Sequence, residues 1–407
     1  MKNLIFALII IFSVSITVSG QNRAKEYLEK GNAKLADLDY AGAIEDYNKA
    51  IAIDPENEMV YNNRGTAKYA LSDKNGAIED YNKAIALNNK FARAYGNRGN
   101  AKQALSDYEG AIEDYNKAIT LNLYDSEAFN DRGAAKFALS DYKGAIDDYD
   151  RAVMINPNFA KAYYNRGKAK QAISDYKGAV DDYSRSIAVA PGDPEAYNDR
   201  GTAKHSLSDN FGAIEDYNKV ISLKPNSATA YYNRGVAKKD LTDFNGAIED
   251  YTRAITINPN YDKAYCNRGN AKQALSDIKG AIEDYDKAIA VNPNDAEVYN
   301  DRGVAKNKIS DNKGAVEDYN KAIEIDNNFA TAYGNRGNAK QALSDYKGAI
   351  EDYNKAIGIK PDFVETYYNR GVAENKLGDN NGACSDWSKA GKLGLIQAYD
   401  MIKKYCR

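Results

Sequence analysis

One histidine occurs in the chain, His205, with Ser206 beside it and Asp209 four residues on. An imidazole, a hydroxyl and a carboxylate are the types a nucleophilic triad uses. Asp209, however, belongs to a column of aspartates that recurs throughout the chain, and the counterparts of His205 are mostly Gln, Asn or Phe. Zinc needs further His or Cys ligands at short spacing, and none lies near. Paired acids such as Glu79-Asp80 recur as well, but adjacent residues of a helix point in different directions, and calcium loops need ligands at alternating positions. The glycine of Asn97-Arg98-Gly99-Asn100-Ala101-Lys102 has no strand before it, which a phosphate loop requires. The sequence therefore predicts no catalytic residue, no metal and no cofactor, with His205 an exposed, solvated side chain.

The recurrence is the dominant signal. Gly31, Gly65, Gly99, Gly133, Gly167, Gly201, Gly235, Gly269, Gly303, Gly337 and Gly371 are each 34 residues apart, giving eleven copies without insertion or deletion. A fixed period of this length indicates stacked supersecondary units. With the glycine at repeat position 8, position 4 is Tyr or Phe, position 20 is Ala, and position 24 is Tyr until Trp387 replaces it. Apolar residues in the AIEDYNKAI segment fall at helical spacing, marking a helix buried against neighbours. Position 16 is Asp in every copy, from Asp39 to Asp379, placed to cap a second helix. Seven of the eight prolines stand at position 32, where proline ends that helix. Each copy is thus expected to be a helix–turn–helix hairpin, giving an all-α fold.

The columns resemble the tetratricopeptide repeat. In the third copy the matching residues are Tyr95, Gly99, Tyr108, Ala111, Tyr115 and Ala118, and the resemblance spans residues 24–397. It implies a right-handed α-solenoid whose first helices line a concave groove that binds protein or an extended peptide. Position 7 departs, being Arg from Arg64 to Arg370 where the family often has Leu. So does position 11, Lys from Lys34 to Lys340 where it often has Tyr. Position 23 is Asp in every copy, so the arginines are expected to pair with it, their stems covering the space usually given to Leu.

The resemblance also places repeat positions 5 and 6 in the groove. Position 6 carries Asn63, Asn97, Asn165, Asn233, Asn267, Asn335 and Asn369, with Asp131, Asp199 and Asp301 among them. A carboxamide both donates and accepts, so this row could hold a peptide main chain; hydrogen bonding within the scaffold or exposure to water is the other reading. Tyr164, Tyr232 and Tyr368 at position 5 are candidate anchors, or else pack against the adjoining repeat. Position 2 mixes Lys25, Arg93, Lys161 and Lys263 with Glu127, Glu195, Glu297 and Glu365, unlike a basic pocket for a terminal carboxylate. Envelope polysaccharide is the alternative partner, since amides and aromatic rings also suit sugars.

The ends differ from the array. Lys2, the apolar run Leu4–Val14 and Ser19-Gly20 have the form of a secretory signal peptide over residues 1–20, which predicts a mature start at Gln21 and a periplasmic or secreted protein. No later stretch is apolar enough to span a membrane. The formal charge of −3, with both signs interspersed, gives no field for nucleic acid. The segment 395–407 has apolar residues spaced to form a helix capping the last repeat. Cys384 replaces an Ile or Val of the repeat and Cys406 lies in the cap. A Cys384–Cys406 disulfide would pin the cap; a buried thiol pair is the other arrangement, and Cys266 is left over.

Overall fold

A computed structural model describes residues 21–406 of the chain, so the expected leader lies outside the described residues. Helices account for the regular structure, with no strand among the described residues. Up to Leu207 they form one compact unit, and from Ser208 onward a second.

The first unit begins with α1 (residues 21–36). It continues through α2 (Tyr40–Ile53), α3 (Glu58–Ala70), α4 (Lys74–Leu87), α5 (Ala92–Gln103) and α6 (Tyr108–Leu121). After these come α7 (Ser126–Ala138), α8 (Tyr142–Ile155), α9 (Ala160–Ala172), α10 (Tyr176–Val189) and α11 (Pro194–Ser206). Within it α3 packs on α4, α5 on α6, α7 on α8 and α9 on α10, and each of these second helices packs on the next first helix. The first helices α3, α5, α7, α9 and α11 also touch in succession.

The second unit repeats the scheme. It contains α12 (Asn210–Leu223), α13 (Ala228–Asp240), α14 (Phe244–Ile257), α15 (Asp262–Ala274), α16 (Ile278–Val291) and α17 (Ala296–Lys308). Then follow α18 (Asn312–Ile325), α19 (Ala330–Ala342), α20 (Tyr346–Ile359), α21 (Val364–Lys376), α22 (Asn380–Lys392) and α23 (Gln397–Tyr405). Paired helices stacked in sequence give the all-α, solenoid class of fold. No helix among the described residues is long and apolar enough to cross a membrane.

Position 24 organises the core. The Tyr81 ring is buried with Ala77 of its own helix and Ala101 of the next repeat, and Tyr115 repeats this with Ala111 and Ala135. Truncating such a ring would cost about 3–5 kcal/mol. The position-8 glycine faces that ring: a Cβ on Gly65 would stand 2.7 Å from Tyr81 Cε1. Its smallness thus makes room for an aromatic ring.

The turn uses three residues together. Asp73 caps α4, its Oδ1 accepting from Gly76 N at 2.9 Å. Gly76 leaves room for that cap, since a Cβ there would stand 2.2 Å from Asp73 Oδ2 and displace the carboxylate. Just before the cap the chain turns through the left-handed region, at Ser72 with φ 67° and Thr242 with φ 62°. Gly378 fills the same place in the last repeat with φ 88°.

At the carboxyl end α23 packs on α22. Ala398, Met401, Ile402 and Leu395 join the cluster around Trp387, and the Tyr405 ring lies 5.7 Å from that of Trp387. A disulfide links Cys384 to Cys406 across a Cα separation of 5.7 Å. Cys266 is free and half-buried.

Candidate functional site

The charged columns assemble into a clamp. Arg98 donates Nε to Asp114 Oδ2 at 2.9 Å and Nη2 to Oδ1 at 2.5 Å. Its remaining Nη1 reaches Asn82 of the preceding repeat at 2.6 Å, and its guanidinium lies 5.5 Å from the centre of the Tyr95 ring. Lys102 stands 2.9 Å from Asp114 Oδ2 and donates to the Gly110 carbonyl at 3.2 Å. The same arrangement recurs at Arg64, Arg132, Arg166, Arg234 and Arg336. Asp114 is 3% exposed, and a buried carboxylate is tolerated when its lone pairs are met in this way. These arginines are committed to pairs within the scaffold.

The position-6 amides form a second network along the first helices. Asn63 Nδ2 donates to Asn32 Oδ1 at 2.9 Å, and Asn97 Nδ2 to Asn62 Oδ1 at 2.9 Å. Asn165 reaches Asn130 Oδ1 at 3.0 Å, Asn335 reaches Asn300 at 2.9 Å, and Asn369 reaches Asn338 at 2.9 Å. Asn267 donates instead to the Tyr232 hydroxyl at 3.0 Å and to the Lys263 carbonyl at 3.1 Å. Asn233 stands at the same register of α13. The amides are therefore not simply solvated: each of the six ties its helix to the preceding repeat or to its own backbone. Their Oδ1 atoms differ. Asn63 accepts from Asn62, whereas those of Asn97, Asn165, Asn335 and Asn369 accept no side-chain bond among the described residues.

The tyrosines are also engaged. The Tyr164 hydroxyl donates to Asp199 Oδ2 at 2.7 Å, and burial with that bond raises its pKa. Tyr232 packs against Tyr251 and Tyr261, at 5.9 and 4.9 Å between ring centres. Tyr368 packs beside the Trp387 cluster. All three are half-buried: the hydroxyls of Tyr164 and Tyr232 bond to the next repeat, while the rings of Tyr232 and Tyr368 pack within their own repeat and, for Tyr368, the cap.

No triad forms from the residues around His205. Ser206 bonds back to the Thr202 carbonyl at 3.1 Å, and Asp209 caps α12 through Gly212 N at 2.9 Å. His205 itself is half-buried, not exposed as expected. Among the described residues no group of three or more His, Cys, Asp or Glu could hold a metal.

An asparagine at position 6 was visible in the sequence, but its partners were not, because four lie at position 5 of the preceding repeat and two at position 9. A recess between α5 and α7 was also missed. It encloses about 430 Å³ and is lined in part by Arg93, Gly96, Asn97, Asn100, Tyr115 and Asp131. Its signal was Gly96, which stands at position 5 opposite an aspartate.

The chain belongs to the tetratricopeptide repeat family. The TPR repeat model matches residues 31–72, 133–174, 203–241, 240–276, 305–344 and 342–378, together more than half of the chain. Tetratricopeptide repeat models also match residues 92–123 and 262–295 and 60–91. No curated protein matches it. Among solved structures, MamA is 28% identical, with 40% of this chain and 96% of that one covered and a TM-score of 0.38. A tetratricopeptide repeat protein from Parabacteroides merdae is 22% identical over 61% of this chain and 99% of its own, with a TM-score of 0.45. YrrB, described as having an unusual peptide-binding site, is 23% identical over 45% and 95%, with a TM-score of 0.40.

Proposed function

We propose that the chain is an exported scaffold of eleven repeats that holds an extended protein segment along its first helices. The observation that carries this reading is the row of oriented amides. Each is held by its own N–H to the scaffold, while Asn97, Asn165, Asn335 and Asn369 keep an Oδ1 acceptor for main-chain N–H donors. Orientation before binding lowers the entropy lost on association. The leader-like residues 1–20 and the Cys384–Cys406 disulfide support a periplasmic or secreted location, because disulfides persist in oxidising compartments.

The test pairs capture from envelope extract with calorimetry on the captured segment, using the wild-type chain and a triple Asn97→Ala, Asn165→Ala, Asn335→Ala variant. A protein segment whose affinity falls clearly in the variant supports the reading. Unchanged affinity moves the site off the amide row. Sedimentation with peptidoglycan and no protein capture would replace the reading with polysaccharide binding. For export, terminal sequencing should start at or near Gln21; retention of Met1 would overturn it.

A further inference from the structure

The cross-repeat row described above is interrupted between α5 and α7 of the first unit. Side-chain bonds join α1 to α3, α3 to α5 and α7 to α9 through Asn63, Asn97 and Asn165, and Tyr164 joins α9 to α11. In the second unit Asn267 joins α15 to α13, Asn335 joins α19 to α17 and Asn369 joins α21 to α19. Between α5 and α7 no such bond forms among the described residues. The recess lies there.

Position 5 explains the gap. Where position 6 of a repeat is aspartate, position 5 of the preceding repeat stands opposite it. Tyr164 meets Asp199 through its hydroxyl. Cys266 and Asn270 stand close to Asp301. Opposite Asp131 the residue is Gly96, and a Cβ added there would meet no heavy atom within 4 Å. Asp131 Oδ1 accepts from Asn130 Nδ2 at 2.9 Å, while Oδ2 accepts no hydrogen bond among the described residues. Burial raises the Asp131 pKa, the sign of a carboxylate short of compensating charge.

The other charges facing this space leave that deficit in place. Arg93 and Glu127 stand exposed at the rim, and Asp125 is occupied in capping α7 through Ala128 N at 3.0 Å. Lys161 is exposed on the far side of Asp131 and favours its charged form. The walls at Phe91, Ala92 and Ala128 are apolar enough to cover methylenes.

We propose that this recess takes one lysine or arginine side chain of the bound segment, its methylenes against Phe91 and Ala92 and its cationic head on Asp131 Oδ2. The proposal rests on the peptide-binding reading and supplies the missing link of the row from the ligand. Tyr164 shows the filled form of the same site, so a tyrosine at position 96 would close it from within.

The test uses fluorescence anisotropy on the full chain with acetylated, amidated nonapeptide pools of Gly, Ala, Ser, Thr and Asn. The central residue is fixed as Lys, Arg, norleucine or Glu. The wild type should bind the Lys and Arg pools about ten-fold or more tightly than the norleucine pool, since a charge-assisted bond replaces an apolar contact. Gly96→Tyr and Asp131→Asn should each erase that preference while still binding the norleucine pool. Asp131→Asn serves alone if Gly96→Tyr melts early. Equal binding of all four pools by the wild type, or a preference that survives in both variants, overturns this assignment and leaves the scaffold reading standing. Binding of no pool overturns both.

Discussion

Arg98 and Asp114 meet through two parallel hydrogen bonds, 2.9 and 2.5 Å long, with the aspartate almost wholly buried. Lys102 completes the site at 2.9 Å. The arginine also crosses to Asn82 of the repeat before it, so one guanidinium holds a hairpin together and joins it to its neighbour.

Removing one partner of a buried pair strands the other. Arg98→Leu should therefore destabilise by about 3–5 kcal/mol, even though leucine is common in the family at this position. Arrays of repeats open locally, so hydrogen exchange of α5 and α6 is the proper measurement. Adding Asp114→Leu should recover much of the loss; no recovery would show that packing, not the stranded charge, dominates.

Left-handed backbone is costly for a β-branched residue. Thr242 adopts φ 62°, where an L side chain costs about 1–2 kcal/mol. After the extra chain entropy of glycine, Thr242→Gly should stabilise by about 0.5–1 kcal/mol. Gly378→Thr should do the opposite. Urea titrations of both variants check the pair, and a destabilising Thr242→Gly would refute the strain.

Glu374 takes the place of the position-11 lysine. Its Oε2 is buried without a hydrogen-bond partner, and burial, with Asp386 next in effect, pushes its pKa up to about 7 from 4.5. A folded pKa above the unfolded one means stability falls as pH rises between those values. Glu374→Lys should flatten melting temperature against pH across that window and add about 1–3 kcal/mol at neutral pH and above. An unaltered pH profile would show that Glu374 is not the titrating group.

Reducing the Cys384–Cys406 bond frees the segment that covers Trp387. The loss should be about 2–4 kcal/mol, seen as faster exchange in α22 and α23 with α13–α18 unchanged. Non-reducing peptide mapping should leave Cys266 as the free thiol, slow to alkylate because burial pushes its pKa up to about 12. A pairing that includes Cys266 would refute the assignment.

Most of the fold was legible because its rules repeat. Gly31 to Gly371 set the period, and Arg98 and Asp114 belong to columns of nearly equal number, so their pairing could be inferred from stoichiometry. The role of Gly76 could not, since the reason for it is the cap oxygen of Asp73 folded back on the helix. The bond from Asn97 to Asn62 was hidden for a different reason: the partner of a position-6 amide stands at position 5 in some joints and at position 9 in others. Gly96 shows the limit most clearly. A missing side chain has no pattern of its own and gains meaning only once Asp131 is known to stand opposite.

The bond from Arg98 to Asn82 has a genetic consequence. Clamp and joint share one phase of 34 residues, so within either unit a recombination event that fuses one copy in register to another bearing the arginine recreates the arginine junction. A crossover displaced by a single codon instead turns the guanidinium away from its acceptor and severs the joint. Whole copies are thus the natural increments by which such a gene can lengthen or shorten, and the row of position-6 residues changes length with it while the arginine clamp stays the same.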